Sequence, residues 1–215
     1  MPLVDKIMVV DDHPVVLDGL VFILSELMPC STIITASDGA SARDLATSHR
    51  DVDWIFMDVH LPDGNGIDLL RYFDSLKLTA NTIVVSSDSK PEIVDRVLRQ
   101  NTSGFLSKSF DRVELKTCMD AIEAGQLYLA PELKIEVNNY RQCVLAERRR
   151  IQALLTEKQL QTLSLLAAGY SNKEIASSFN VAESTIKSRV KLLMTAFEAD
   201  NRTHCVYEAQ RLGII

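Results

Sequence analysis

The stretch Val52-Asp53-Trp54-Ile55-Phe56-Met57-Asp58, running on into Val59-His60-Leu61-Pro62-Asp63-Gly64-Asn65-Gly66, decides the fold. Four apolar residues in succession, Trp54 to Met57, predict a strand buried on both faces, as strands of a parallel sheet are. Asp58 then stands at the carboxyl end of that strand. Pro62 fixes φ and Gly64 permits positive φ, so the chain leaves the sheet through an open loop that exposes Asp58 to ligands. An acid in this place also fits a solvated loop residue or a helix cap.

On either side of this strand the chain alternates. Apolar runs predict further strands at 7–10, 32–35, 83–86 and 104–106, and helical spacing predicts helices at 15–27, 40–48, 67–76, 91–99 and 113–123. Five strands alternating with five helices call for right-handed crossovers and a parallel sheet covered on both faces. The expected architecture is a flavodoxin-like α/β domain of strand order 2-1-3-4-5, with its ligand crevice at the carboxyl ends of strands 1 and 3. Asp11 and Asp12 end the first strand and Asp58 ends the third, so three carboxylates converge.

Their mutual repulsion calls for a cation, and hard oxygen ligands suit Mg²⁺. A carboxylate beside Mg²⁺ can serve as a nucleophile toward phosphorus. Ser86 ends the fourth strand and Lys108 follows the fifth, bringing a hydroxyl and an ammonium to meet phosphoryl oxygens. Singly, Asp11 or Asp12 could cap a helix, Ser86 could start a turn and Lys108 could be a solvated charge; their common placement favours the functional reading.

The length of 215 residues admits two ordinary domains. Residues 1–130 hold 11 Lys and Arg against 20 Asp and Glu, a net −9, whereas 131–215 hold 12 against 9, a net +3. Two halves of opposite sign suit different partners. Cys30, Cys118, Cys143 and Cys205 form no CxxC pair and are expected to be reduced. No basic, apolar leader opens the chain, and its most apolar early run is interrupted by Asp18 and Gly19, so a cytoplasmic protein without membrane contact is expected.

In the second half, residues 135–151 are expected to form one helix ending in Arg148-Arg149-Arg150, a charge run that could meet a DNA backbone or simply be solvated. Thr156-Glu-Lys-Gln159 and Ser171-Asn-Lys-Glu174 are capping boxes that start two helices. A third follows Asn180-Val181-Ala182, with Ile186, Val190, Leu193 and Phe197 on its buried face. Its wet face, with Ser184, Lys187, Ser188, Lys191 and Thr195, is expected to be basic with no acid before Glu198. Short helices followed by a basic-faced helix fit a helix-turn-helix, and on charge alone a plain helical bundle fits too.

The strand-end residues of the first half resemble the receiver domain of bacterial two-component response regulators. The resemblance implies that Asp58 accepts a phosphoryl group from a histidine kinase. It implies that Asp12, Asp58 and the backbone carbonyl of His60 bind Mg²⁺ directly, with Asp11 acting through water. Ser86 would swing to the phosphoryl oxygens, Phe105 would repack as the aromatic switch and Lys108 would pair with the phosphate. Lys108-Ser109 departs from the usual Lys-Pro with its cis bond; a cis peptide before serine would cost about 2.5 to 4 kcal/mol. Ser87 stands where alanine is frequent, and His60 and Asp88 hold the positions that tune phosphoryl lifetime in the family.

Leu155-Thr156, Leu165-Leu-Ala-Ala-Gly-Tyr-Ser-Asn-Lys-Glu-Ile-Ala176, Thr185-Ile-Lys187 and Asn201-Arg-Thr203 resemble the LuxR-type DNA-binding domain. Together the two resemblances define the NarL/FixJ class. They imply a receiver at 1–128, a helical linker at 129–150, and an all-α DNA-binding domain at 151–215. Lys187, Ser188 and Lys191 would face bases, and Asn172, Lys173, Thr185 and Arg189 would lie near phosphates. Arg189 replaces a usual histidine and Ala196-Phe197 a usual Lys-Leu, so a target sequence is not inherited. The final helix, with Cys205, Val206, Ala209 and Leu212 on its apolar side, resembles a dimerisation helix, although packing on its own domain would give the same pattern.

The function implied is transcription regulation in which phosphorylation by a sensor kinase controls homodimerisation and DNA binding, without enzymatic turnover beyond the receiver's own phosphoryl transfer and dephosphorylation. A flavodoxin-like electron carrier is disfavoured, since Asp11 and Asp12 would repel a flavin phosphate. A Mg²⁺-dependent phosphatase would normally carry a DxD pattern after the first strand, which is absent. A regulator that binds DNA without phosphorylation is the remaining alternative.

Overall fold

The structure, a computed structural model, describes residues 5–215. Packing divides it into two compact units between Asn138 and Asn139.

The first unit alternates as expected. β1 (Lys6–Val10), α1 (Pro14–Leu27), β2 (Thr32–Ala36), α2 (Gly39–Ser48) and β3 (Trp54–Met57) come first. A small hairpin, β4 (His60–Leu61) with β5 (Gly64–Asn65), precedes α3 (Gly66–Ser75). β6 (Asn81–Ser86), α4 (Pro91–Leu98), β7 (Gly104–Ser107), α5 (Arg112–Glu123) and β8 (Tyr128–Leu129) complete it. The main sheet is parallel throughout, in the order β2-β1-β3-β6-β7-β8.

The sheet therefore has six strands, one more than expected. Gly125, at φ 75°, ends α5, and the chain returns beside β7 for only two residues, too few to show a period in the sequence. The β4–β5 hairpin stands where Pro62 and Gly64 predict an open loop.

Strand alternation explains the two layers. Ile7 and Val9 of β1 and Trp54 and Phe56 of β3 share a core with Leu20 and Leu24 of α1 and Leu115, Cys118 and Ile122 of α5. Met8, Val10, Ile55 and Met57 enter the opposite core, against Ala42 and Ala46, Leu70 and Phe73, and Val94 and Val97 of α2, α3 and α4. All four residues of β3 are buried, as its apolar run requires.

Helix α6 (Pro131–Leu154) is longer than the expected 135–151, and it occupies most of the span expected as a linker. Val137 is buried in the first unit's core, while Ile151 is buried in that of the second. The second unit continues with α7 (Glu157–Ala167), α8 (Asn172–Phe179), α9 (Glu183–Ala196) and α10 (Arg202–Arg211). Both capping boxes form, Thr156 with Gln159 and Ser171 with Glu174. Asn180 takes the left-handed conformation at φ 51°, which ends α8 and turns the chain into α9. Among the described residues no helix is long and apolar enough to cross a membrane.

Candidate functional site

Backbone pairing delivers the acids to one end of the sheet. The Asp58 N–H donates to the Val10 carbonyl at 2.9 Å and the Asp11 N–H to that of Ala36 at 3.1 Å, extending the β3–β1–β2 ladder by one step. Asp11 and Asp58 are only 4% and 2% exposed. Ligand atoms of Asp11, Asp12, His13 and Asp58 lie within 4.8 Å of one another.

Three carboxylates this close need positive charge, and Lys108 supplies it. Its Nζ lies 2.7 Å from Asp11 Oδ2 and 2.7 Å from Asp58 Oδ2. Burial pulls an ammonium's pKa down, but the hydrogen bonds to Asp11 and Asp58 outweigh it and hold the group above its ordinary value. The Lys108 backbone N–H donates to the Ser86 carbonyl at 2.9 Å, so the end of β6 sets the lysine's origin. Among the described residues there is no cis peptide, so Lys108-Ser109 is trans.

The other Asp58 oxygen, Oδ1, accepts from the His60 N–H at 3.1 Å. The buried Ser86 hydroxyl accepts from the Asp88 N–H at 3.2 Å and lies 3.5 Å from His60 Nδ1. Phe105 is fully buried, in the core shared with Val94 and Val97 of α4. The Lys90 N–H holds the Asp88 carboxyl below the usual carboxylate range.

The donor set fits a hard divalent cation. Asp12 Oδ1 is buried and accepts no hydrogen bond, and its one close polar contact is His13 Nδ1 at 2.6 Å. A carboxylate oxygen that accepts no hydrogen bond, among two other carboxylates, is suited to Mg²⁺.

Two residues of the site were not singled out from the sequence. A Cβ on Gly66 would stand 2.5 Å from Val59 Cα and 2.8 Å from the Asp58 carbonyl oxygen, so only glycine lets α3 start this close behind the acid. Asp63 accepts from the N–H groups of Gly39 and Ala40 at 2.7 and 2.8 Å, tying the loop after Asp58 to the start of α2. The turn signal of Pro62-Asp63-Gly64 pointed to this loop without showing where the carboxylate goes.

In the second unit, α9 buries Ile186, Val190, Leu193 and Phe197 and leaves Thr185, Lys187, Ser188 and Lys191 exposed. The outer face is less basic than expected: α9 starts at Glu183, whose carboxylate meets Lys187 at 3.0 Å. Lys173 is exposed, and Asn172 is half-buried with its Oδ1 unpartnered. Arg189 is half-buried, its guanidinium 5.3 Å from the Phe179 ring centre and its buried Nη1 unpartnered. Arg150 of the arginine triplet meets Glu198 at 3.3 Å.

The expected dimerisation residues lie elsewhere than at a free surface. Cys205, Ala209 and Leu212 are at most 2% exposed and Val206 packs partly against them, all in the core of their own domain with Leu163, Ile186 and Leu193. Their apolar spacing reflects attachment of α10 to its own unit, and side chains so buried are not available to a second chain. Asn201 caps this helix through the His204 N–H, and Arg202 donates to the carbonyls of Leu166 and Tyr170 at the end of α7. The Asn201-Arg202 pair thus closes the domain.

Comparison with known proteins agrees with this geometry. A family model described as the response regulator receiver domain matches residues 7–120, and one described as bacterial regulatory proteins, luxR family, matches 153–209. The nitrate/nitrite response regulator protein NarP of Escherichia coli (strain K12) is 34% identical over 92% of this chain and 90% of its own. The glycerol metabolism activator of Pseudomonas putida is 27% identical over 95% and 94%. A structure of the Salmonella typhimurium RcsB response regulator, 22% identical, superposes with a TM-score of 0.60 over 96% of this chain and 99% of that one, a likeness of fold. The chain therefore belongs to the NarL/FixJ class of response regulators, in which a receiver domain is followed by a LuxR-type DNA-binding domain.

Proposed function

We propose that Asp58 accepts a phosphoryl group from the phosphohistidine of a sensor kinase or from a small phosphodonor, and that this controls transcription through dimerisation and DNA binding by α9. The observation that carries the proposal is the single ammonium of Lys108 spanning Asp11 and Asp58 at 2.7 Å each, beside a buried Asp12 oxygen that accepts no hydrogen bond. In the transfer, an Asp58 oxygen bonds to phosphorus, the bond from phosphorus to the donor's imidazole nitrogen breaks, and the imidazole departs with its electron pair. An acyl phosphate remains on Asp58. Asp12, Asp58 and the His60 backbone carbonyl would hold Mg²⁺, with Asp11 acting through water; bound there, it offsets the charge of the phosphoryl oxygens.

Lys108 is placed to follow a phosphoryl oxygen. Ser86, held by one backbone N–H and a long contact to His60, gives up little in turning toward it. Phe105 would repack into the space behind Ser86. Such a change biases DNA affinity by its differential free energy alone, about 1 to 3 kcal/mol or roughly 5- to 150-fold in familiar cases. Lys187, Ser188 and Lys191 are proposed to face bases, and Asn172, Lys173, Thr185 and Arg189 to lie near phosphates, from a chain working on DNA in the cytoplasm. Dimerisation would have to use surfaces other than the buried side of α10.

Incubation with a small phosphodonor and Mg²⁺, followed by intact mass, tests the assignment. One hydroxylamine-labile phosphoryl group is expected on the wild type and none on Asp58→Asn; labelling of the variant would overturn it. Affinity for duplex DNA with and without beryllofluoride tests the coupling, and equal values would remove it.

A further inference from the structure

We infer that Leu192 reads a base, covering the 5-methyl group of a thymine in the major groove. This rests on the proposed entry of α9 into that groove. The buried side of α9 is accounted for by Ile186, Val190, Leu193 and Phe197, and the opposite side carries exposed Ser184, Ser188, Lys191 and Thr195. Leu192 follows Ser188 by four residues, about one helical turn, and therefore shares its face. It is 57% exposed, the only large hydrophobic residue of α9 left so.

A lone exposed leucine is ordinary on an arbitrary surface. Its setting here is specific. Lys191, its neighbour in the chain, is exposed and suits an anionic partner, and Lys187, on the same helix, is exposed while paired with Glu183 at 3.0 Å. Arg189, three residues earlier, lies over Phe179 and leaves Leu192 uncovered. Ser188, one turn earlier on that face, donates its hydroxyl to the Ser184 carbonyl at 3.1 Å. An apolar side chain pressed against unpaired base-edge donors or acceptors is penalised. The major groove offers one apolar group, the thymine methyl, and a leucine gains there only by covering it.

The experiment uses the full chain with Mg²⁺ and beryllofluoride. Duplexes are selected from a random-sequence library, and affinity is then measured for the selected duplex and for versions in which each thymine in turn is replaced by deoxyuridine, which removes only the methyl group. The expected result is a thymine whose replacement weakens wild-type binding by about fourfold, the worth of one buried methyl, and has no effect on Leu192→Ala. Leu192→Met should keep the preference. An exposed position makes Leu192→Ala neutral for folding, checked by an unchanged melting temperature. Identical deoxyuridine profiles for wild type and Leu192→Ala would overturn the inference while leaving DNA binding by α9 intact. Failure of the wild type to enrich any sequence would overturn both.

Discussion

The ammonium of Lys108 lies 2.7 Å from Oδ2 of Asp58, the oxygen pair closed by a second contact of the same length to Asp11. One cation thus balances two buried acids from two different strands. A divalent cation held by Asp12 and Asp58 would compete with this ammonium for the Asp58 carboxylate, and removing the ammonium would favour the metal.

Lys108→Ala should therefore bind Mg²⁺ more tightly, by about tenfold or more given the strength of charge pairs near a protein surface, and should fail to pass phosphorylation on to DNA binding. Titration calorimetry with MgCl₂ measures the first effect and DNA affinity with beryllofluoride the second. Unchanged Mg²⁺ affinity would show that the ammonium and the metal do not share oxygens.

Gly66 predicts a sharp contrast with its neighbour Gly64. A methyl at 66 meets backbone at 2.5 Å, whereas one at 64 meets nothing within 4 Å. Gly66→Ala should lose about 1 to 3 kcal/mol of stability, the usual range for overpacking, and be phosphorylated more slowly. Gly64→Ala should match the wild type. Denaturation midpoints and initial rates from intact mass separate the two.

The start of α9 is uncapped. Ala182 sits at φ −69° and ψ 146°, the conformation of a capping residue, but offers no side-chain acceptor. Ala182→Ser should add about 0.5 to 2 kcal/mol, seen as a higher denaturation midpoint for the second unit's transition. A lowered midpoint would mean the hydroxyl cannot reach the first-turn N–H groups.

Burial pushes the Cys205 thiol up to about 11, from an ordinary value near 9.0. A raised thiol pKa favours the folded state while both forms are protonated, and that contribution is lost as the unfolded chain releases its proton first. Stability should fall between pH 9 and 11 with a slope of about 1.4 kcal/mol per pH unit for one such group. Cys205→Ala should flatten this slope in the second unit, whatever its effect on absolute stability. An unaltered slope in the alkaline limb would assign the loss to other groups.

Much of this was legible in the sequence because strand ends are where parallel sheets place chemistry. Trp54 to Met57 identifies a doubly covered strand, and the acids that follow apolar runs fall together once the crossover order is known. The two capping boxes were readable for a similar reason, since both partners lie within one turn. Gly66 was not readable: its necessity arises from the approach of Val59 and Asp58 backbone, which local pattern does not encode. Nor was the role of Cys205, Ala209 and Leu212, because an apolar stripe shows that a helix is covered without showing by what. Glu183 lies outside the apolar period of α9, which begins only at Ile186, so the pattern does not mark it as part of the helix.

The two hydrogen bonds that Asp63 makes across to Gly39 and Ala40, at 2.7 and 2.8 Å, have a spectroscopic consequence. These amides have no partner in a preceding helical turn, so their protection from deuterium depends on a carboxylate borrowed from the loop beside Asp58. If the loop lifts, both protons exchange together, with the sheet undisturbed. Gly39 and Ala40 thus form a native gauge for the state of the loop, read by isotope uptake without a label or a mutation near the phosphoacceptor.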